Sequence, residues 1–353
     1  MTTFLKSAIL GAAGLMLALA PASRAQTTIQ GAGSTFVAPV MAKWIQVYDQ
    51  QHPDVKIDYQ AIGSGGGIHN LTDKTIQFAG SDAPMTDDQL KQAGAAVLHL
   101  PEVAGPVVMS YNLPQLKNKL VLDGKVIAGI FLGAISHWND PQIAALNPGA
   151  DLPNLPILVA HRSEGSGTTY IFTGYLSQVS ADWKSKVGQN TSVSWPTGRG
   201  GKGTDGVAAI IKNTAGSIGY IEYAYAINGH LPVATLQNKD GKPVDPSIDG
   251  VVAASKAVVA DLPPDFRLPI IDPSGPDAYP ISGFTYLIIY KDLGYLKDRE
   301  KALQTVKFLQ WILTDGQQYA EGLQYAKLGD DMRNKVLDEL KQATFDGQPL
   351  LKD

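Results

Sequence analysis

The chain has 353 residues, with 29 Lys and Arg against 33 Asp and Glu, which gives a net charge of −4. Hydrophobic residues make up 44% of it, enough for a large core and too many for a disordered chain. The absence of cysteine excludes disulfides, cysteine-bound metal, a thiol nucleophile and a lipid-anchored cysteine. The acidic balance argues against a general nucleic-acid binder, and the length suggests about two domains.

The first 25 residues have the pattern of a secretory signal peptide. Lys6 supplies a positive charge before the apolar run 8–20, and Ser23 and Ala25 are the small residues that a signal peptidase requires. The run is shorter than the roughly 20 residues that span a bilayer, and no later stretch is long and apolar enough to do so. We expect cleavage after Ala25, which leaves a soluble, exported chain with a net charge of −6.

Apolar, β-rich segments alternate with helical patterns along the rest of the chain, which predicts an α/β fold. Strands are expected over residues 27–31, 55–62, 76–80, 107–112, 157–161, 217–223 and 284–290. Helices are expected over residues 36–51, 67–74, 125–132, 168–179, 206–213 and 299–321. The Pro- and Asp-rich segment 261–280 is expected to be a loop.

Three turns rich in Gly, Ser and Thr each lie between a predicted strand and an amphipathic segment. They cover residues 31–36, 63–67 and 165–168. The first turn of a helix has backbone N–H groups without partners and a partial positive charge, and glycine lets a ligand approach the backbone closely. One such turn is an ordinary helix cap, but three in one chain favour an anion site at converging helix ends.

Two charged residues add to this pattern. Arg162 ends a predicted strand and is placed either to bind an oxyanion or to form a surface ion pair with Glu164. Asp82 follows another predicted strand, where it either caps a turn or accepts a hydrogen bond from the ligand. An acceptor among donors admits an oxyanion that keeps a proton near neutral pH, as phosphate does, and repels sulfate.

Several long motifs resemble one family, the periplasmic phosphate-binding proteins of high-affinity phosphate ABC transporters. The resemblance covers essentially the whole chain after the signal peptide, in order. The motifs are residues 31–36, 62–67, 80–84, 162–168, 195–196, 200–203, 219–226 and 279–281.

The resemblance implies a two-domain type II periplasmic-binding-protein fold of the α/β class, with two hinge crossovers and a ligand cleft between the domains. The first domain would comprise residues 26–106 and 281–353, and the second residues 107–280. The chain would cross the hinge near residues 106–112 and 279–283. Contacts made only in the closed form would then couple ligand binding to domain closure.

The resemblance also assigns phosphate-binding roles, with Asp82 accepting the phosphate proton and the other residues donating. The phosphate-binding residues would be Ser34, Thr35, Phe36, Ser64, Asp82, Arg162, Ser166, Gly167 and Thr168. Two positions depart from the family pattern. Val37 replaces a common proline, and Glu164 stands where aspartate is expected, which affects how Arg162 is held.

The expected function is that of a monomeric periplasmic receptor that delivers inorganic phosphate to an inner-membrane ABC permease and its ATPase. No catalytic residue, metal or cofactor is expected, since the histidines lack metal-ligand spacing and no nucleophile motif surrounds Ser166. The G-x-G-x-x-G matches at 198–203 and 201–206 are weak without a dinucleotide-binding context. Two alternatives stay open: a secreted phosphatase or other phosphoester hydrolase, and a receptor for another tetrahedral oxyanion.

Overall fold

The computed structural model describes residues 26–351. The predicted signal peptide therefore lies outside the described residues. Fourteen strands occur in the described part: β1 (Thr27–Gly33), β2 (Val55–Ala61), β3 (Phe78–Ser81), β4 (Val97–Tyr111), β5 (Val121–Leu122), β6 (Leu158–Arg162), β7 (Arg199–Gly201), β8 (Ser217–Glu222), β9 (Thr235–Gln237), β10 (Pro243–Val244), β11 (Ser282–Tyr290), β12 (Ala326–Lys327), β13 (Thr344–Phe345) and β14 (Gln348–Pro349).

Twelve α-helices accompany these strands within residues 26–351. They are α1 (Ala38–Gln51), α2 (Ser64–Thr72), α3 (Asp87–Ala93), α4 (Gly124–Phe131), α5 (Pro141–Leu146), α6 (Gly167–Val179), α7 (Ala181–Lys186), α8 (Gly203–Asn213), α9 (Tyr223–Gly229), α10 (Ile248–Val258), α11 (Arg299–Leu313) and α12 (Asp330–Leu340). Helix α1 shows why the periodic pattern works, because its residues Val40, Trp44 and Tyr48 are all buried on one face.

One large sheet organises the fold. Its strand order is β2-β1-β3-β11-β4-β8-β6-β7, and β12 also pairs with β4. The strands at each end of this order run parallel, whereas β11 and β4 in the middle make antiparallel pairs. The mixed α/β class predicted from the sequence is thus confirmed.

Strand β4 passes without interruption through the middle of the sheet. Its residues 97–106 pair with β11, and residues 107–111 pair with β8. The partner changes at Pro106, within the segment where the sequence predicts a hinge crossing. The domain boundaries themselves stay a prediction.

Several predicted elements differ from the structure in their bounds. The helix expected from residue 206 begins at Gly203. The strand expected at 107–112 is only the second part of β4, and the helix expected from residue 67 begins at Ser64. The helix expected to run to residue 321 ends at Leu313, because Thr314 leaves the helical conformation and short 3-10 turns follow at Asp315–Tyr319 and Glu321–Leu323. None of the helices within residues 26–351 is long and apolar enough to cross a bilayer.

Candidate functional site

The polar residues predicted from the sequence lie where the strands of the large sheet end. Ser34 follows β1, Asp82 follows β3, and Arg162 and Glu222 end β6 and β8. The carboxyl ends of parallel strands are the usual place for a ligand in open α/β sheets. Nine residues, called the polar cluster below, are linked there by hydrogen bonds or by the chain itself: Ser34, Thr35, Ser64, Asp82, Arg162, Gly167, Thr168, Thr204 and Glu222.

Asp82 is a buried carboxyl surrounded by hydroxyl donors. Ser34 donates to its Oδ1, and Ser64 donates to its Oδ2 at 3.4 Å. Burial raises the pKa of Asp82 to about 7, and Glu222 adds to the rise, whereas the two serines and Arg162 oppose it. The cause is the loss of water around a charged group, which disfavours the ionised form. Asp82 is therefore poised to exchange a proton near neutral pH.

Ser64 connects Asp82, which follows β3, with Gly167, at the start of α6. Its hydroxyl oxygen accepts the backbone N–H of Asp82 at 3.2 Å and that of Gly167, the first residue of α6, at 3.1 Å. Helix α2 can begin at Ser64 because Gly63 adopts a φ of +89°, which few other residues tolerate. A side chain at Gly63 would also collide with the backbone oxygen of Gly165.

Arg162 is the buried cation of the polar cluster. Its Nη1 donates to the hydroxyls of Thr168 at 3.2 Å and Thr204 at 3.3 Å. Its Nε and Nη2 atoms both donate to Glu164, with 2.7 Å between Nε and Oε1. The same Oε1 accepts the backbone N–H of Gly203 at 3.1 Å. The glutamate found in place of the expected aspartate thus holds Arg162 while leaving Nη1 directed at the hydroxyls.

Thr35, which lies shortly after β1, belongs to the polar cluster through its bond to Thr204. Its hydroxyl lies 2.9 Å from that of Thr204, and its backbone oxygen accepts the Tyr225 hydroxyl at 2.9 Å. Thr35 and Thr204 are 169 residues apart in the chain, so only the folded structure brings them together.

Two of the predicted residues are placed differently from the rest. The Phe36 side chain is buried in the core beside Tyr325, whose hydroxyl donates to the Phe36 backbone oxygen at 2.6 Å, so only the Phe36 backbone lies next to the cluster. The Ser166 hydroxyl accepts the Thr169 N–H at 3.1 Å and caps α6. Its side chain serves the helix rather than the cluster.

Glu222 and Thr204 belong to the polar cluster but were not predicted as site residues. Thr168 donates to Glu222 at 2.6 Å, and the second carboxylate oxygen of Glu222 is buried without a hydrogen-bond partner among the described residues. The available signals were the glycine-rich motif at 200–203, which precedes Thr204, and the motif at 219–226, in which Glu222 ends a strand and precedes a helix.

The site combines positive helix ends with buried carboxyl groups. Helices α2, α6 and α8 all begin at or next to members of the cluster, so their N-terminal N–H groups and partial positive charges converge there. This arrangement can stabilise a small anion without a large net positive charge. Within residues 26–351, no group of three or more His, Asp or Glu side chains is placed to hold a metal ion.

Comparison with known proteins agrees with this geometry. The model of the PBP superfamily domain matches residues 20–316. A solved structure of a high-affinity periplasmic phosphate-binding protein, PfluDING, bound with phosphate, superposes with a TM-score of 0.70 at 20% identity, covering 92% of this chain and 100% of that one. At this identity the likeness establishes the fold.

Two curated relatives are closer in sequence. The phosphate-binding protein PstS of Pasteurella multocida is 41% identical over 310 residues, which are 88% of this chain and 88% of the relative. The phosphate-binding protein PstS of Methanocaldococcus jannaschii is 42% identical over 308 residues, which are 82% of this chain and 79% of the relative. The chain therefore belongs to the PBP superfamily and, within it, to the PstS family of phosphate-binding proteins.

Proposed function

We propose that the mature chain is a non-enzymatic periplasmic receptor that binds inorganic phosphate in the polar cluster and delivers it to an inner-membrane ABC permease. The relatives named as phosphate-binding proteins support the ligand and the transport role. The proposed binding residues are Ser34, Thr35, Phe36, Ser64, Asp82, Arg162, Ser166, Gly167 and Thr168, with Ser166 acting by capping α6.

The observation that carries this proposal is Asp82 buried among donors. A carboxylate repels a fully ionised oxyanion such as sulfate, but it can accept a hydrogen bond from an oxyanion that keeps a proton. Inorganic phosphate keeps one near neutral pH. A buried carboxylate acceptor among the donors thus selects for phosphate rather than for any tetrahedral anion.

Ligand binding in this site is an exchange of hydrogen bonds. In the structure the hydroxyls of Ser34 and Ser64 donate to Asp82, and that of Thr168 donates to Glu222. A hydroxyl has one hydrogen to donate. The three hydroxyls must therefore turn from the carboxylates to the phosphate oxygens, while Asp82 accepts the hydrogen bond of the phosphate O–H group.

Closure of two lobes accounts for the way the cluster is assembled. The proposed lobes are residues 26–106 with 281–353, and residues 107–280. Several hydrogen bonds join one lobe to the other, including Gly65 N–H to the Gly165 oxygen at 3.0 Å and Gly167 N–H to the Ser64 hydroxyl. A ligand that contacts both lobes stabilises the closed form, which is the form a permease would recognise.

Equilibrium dialysis tests the proposal. The chain from Gln26 onward, freed of phosphate, is titrated with labelled phosphate in competition with sulfate, arsenate and 4-nitrophenyl phosphate. We expect saturable binding of one phosphate per chain, no displacement by a large excess of sulfate, and no release of 4-nitrophenol. Displacement by sulfate as effective as by phosphate, or turnover of the ester, would contradict the proposed function.

A further inference from the structure

Glu102 is a buried carboxyl group close to the polar cluster that the binding scheme above does not use. Its side chain lies in β4 and is fully buried. The register between β4 and β11 shifts at this point, because Thr285 pairs with Val103 and Tyr286 pairs with Pro101. Glu102 is therefore the extra residue of a β-bulge, a feature that redirects side chains beside binding sites.

The hydrogen bonds of Glu102 are incomplete. Thr285 donates to its Oε1 at 2.5 Å, whereas Oε2 is buried without a partner among the described residues. Tyr286, the next residue of β11, pairs on its other side with Ser81, which precedes Asp82. Glu102 and Asp82 thus flank the same short piece of β11, about two strand spacings apart, or roughly 10 Å.

The charges around Glu102 are not balanced by a cation. Glu102 interacts electrostatically with three ionisable groups: Asp82 after β3, Tyr59 of β2 and Tyr325 beside β12. No ion pair within residues 26–351 includes Glu102. Glu164, in contrast, is paired directly with Arg162.

A neutral Glu102 is what this environment favours at neutral pH. Burial raises the pKa of Glu102 to about 8, and the negative charge of Asp82 contributes to the rise. The hydrogen bond from Thr285 lowers this pKa but does not offset the effect of burial. If the carboxyl ionised, a second unscreened negative charge would lie behind Asp82. In a dry interior such a charge acts over this distance with little screening.

We propose that Glu102 must be in its neutral, protonated form for the chain to bind phosphate, and that its ionisation in alkaline solution expels the ligand. The inference rests on the proposed function. Glu102 acts at a distance from the ligand, through charge alone. Its substitution by an uncharged residue of similar shape is therefore expected to remove the alkaline response without weakening binding at lower pH.

The test compares the phosphate affinity of the wild type with that of Glu102→Gln at about pH 6.5 and about pH 9, by equilibrium dialysis. The dissociation constants should agree at the lower pH. At the higher pH we expect the variant to bind about tenfold more tightly, because only about a tenth of the wild type then keeps the neutral acid. Because the wild type and the variant are compared at the same pH, the ionisation of phosphate itself affects both dissociation constants equally.

Two further proteins make the result decisive. Glu321→Gln removes an exposed glutamate and should keep the wild-type pH profile. Glu102→Met provides a second uncharged side chain of similar size and should show the same dissociation constants as Glu102→Gln. It also supplies the comparison with the wild type if Glu102→Gln fails to fold. Profiles for the Glu102 variants that match the wild type at both pH values would overturn the inference. Absence of phosphate binding by the wild type at about pH 6.5 would instead overturn the proposed function.

Discussion

Thr168 donates its hydroxyl hydrogen to Glu222, with 2.6 Å between Oγ1 and Oε1, while the same oxygen accepts from Arg162 at 3.2 Å. Because the hydroxyl has a single hydrogen, Thr168 must release Glu222 before it can donate to a ligand. The bond to Glu222 holds the Thr168 side chain in place beside Arg162. In the proposed binding step, a phosphate oxygen would replace the Glu222 oxygen as the acceptor.

Thr168→Ala is expected to weaken phosphate binding by about 1 kcal/mol. This is less than the roughly 1.5–3 kcal/mol typical of hydrogen bonds to charged groups, because the bond to the ligand replaces the bond to Glu222 rather than adding to it. Thr168→Ser keeps the hydroxyl and should stay close to wild type. Titration calorimetry at neutral pH measures both. A Thr168→Ala protein with wild-type affinity would exclude this hydroxyl from the binding site.

Gly167→Ala should strongly weaken phosphate binding while leaving the fold intact. A Cβ atom at Gly167 would lie 2.5 Å from both the Asp82 Oδ2 and the Ser64 hydroxyl oxygen, so these groups could not keep their places when the cluster is assembled. We expect a loss of at least about 2 kcal/mol of binding free energy, in line with other cases of overpacking.

The matched control for this substitution is Gly322→Ala, since no atom lies within 4 Å of the Cβ that would be added there. It should bind phosphate as the wild type does. Circular dichroism of both variants establishes that each is folded. Tight binding by a folded Gly167→Ala protein would show that Asp82 and Ser64 do not meet α6 in the bound form.

The stability of the ligand-free protein should depend on pH through Asp82. Its folded-state pKa of about 7 lies above the ordinary value of 3.8, so the folded state favours the protonated carboxyl. Stability is therefore unaffected below about pH 4, falls as the pH rises from about 4 to 7, and stays reduced above that. The shift of about 3 pKa units corresponds to a total cost on the order of 4 kcal/mol.

Asp82→Asn removes this titration. In phosphate-free buffer, urea unfolding should show the variant to be more stable than the wild type at about pH 8, and the difference should shrink towards about pH 4. Equal differences at the two pH values would mean that Asp82 does not ionise inside the folded protein.

The sequence was sufficient for the parts of the site that are local in the chain. The turns at 63–67 and 165–168 each follow a strand and enter a helix, and Asp82 follows a strand, so the places of Ser64, Asp82 and Gly167 near the ends of elements could be predicted from neighbouring residues. The predicted start of α2 was nevertheless three residues too late. For Thr204 and Glu222 the sequence showed only the motifs in which they lie, because their contacts with Thr35 and Thr168 arise only when distant segments meet.

The first half of β4 was missed for a different reason. Pro101, Gly105 and Pro106 are residues that normally interrupt strands. Pro101 is accommodated next to the register shift with β11, and Gly105 has the Phe36 ring where a side chain would be. The end of α11 was missed because its amphipathic pattern continues past Leu313. There Gly316 accepts the Trp44 indole N–H at 2.7 Å, which holds the chain in a tighter turn.

We propose that Asp82 selects a protonated oxyanion, and the ratio of phosphate to sulfate affinity measures this selection most directly. Titration calorimetry of the wild type and of Asp82→Asn with each anion at neutral pH gives this ratio for both proteins. We predict a large preference for phosphate in the wild type and a much smaller one in the variant, with sulfate gaining affinity as the repelling carboxylate disappears. An unchanged ratio in Asp82→Asn would contradict the account.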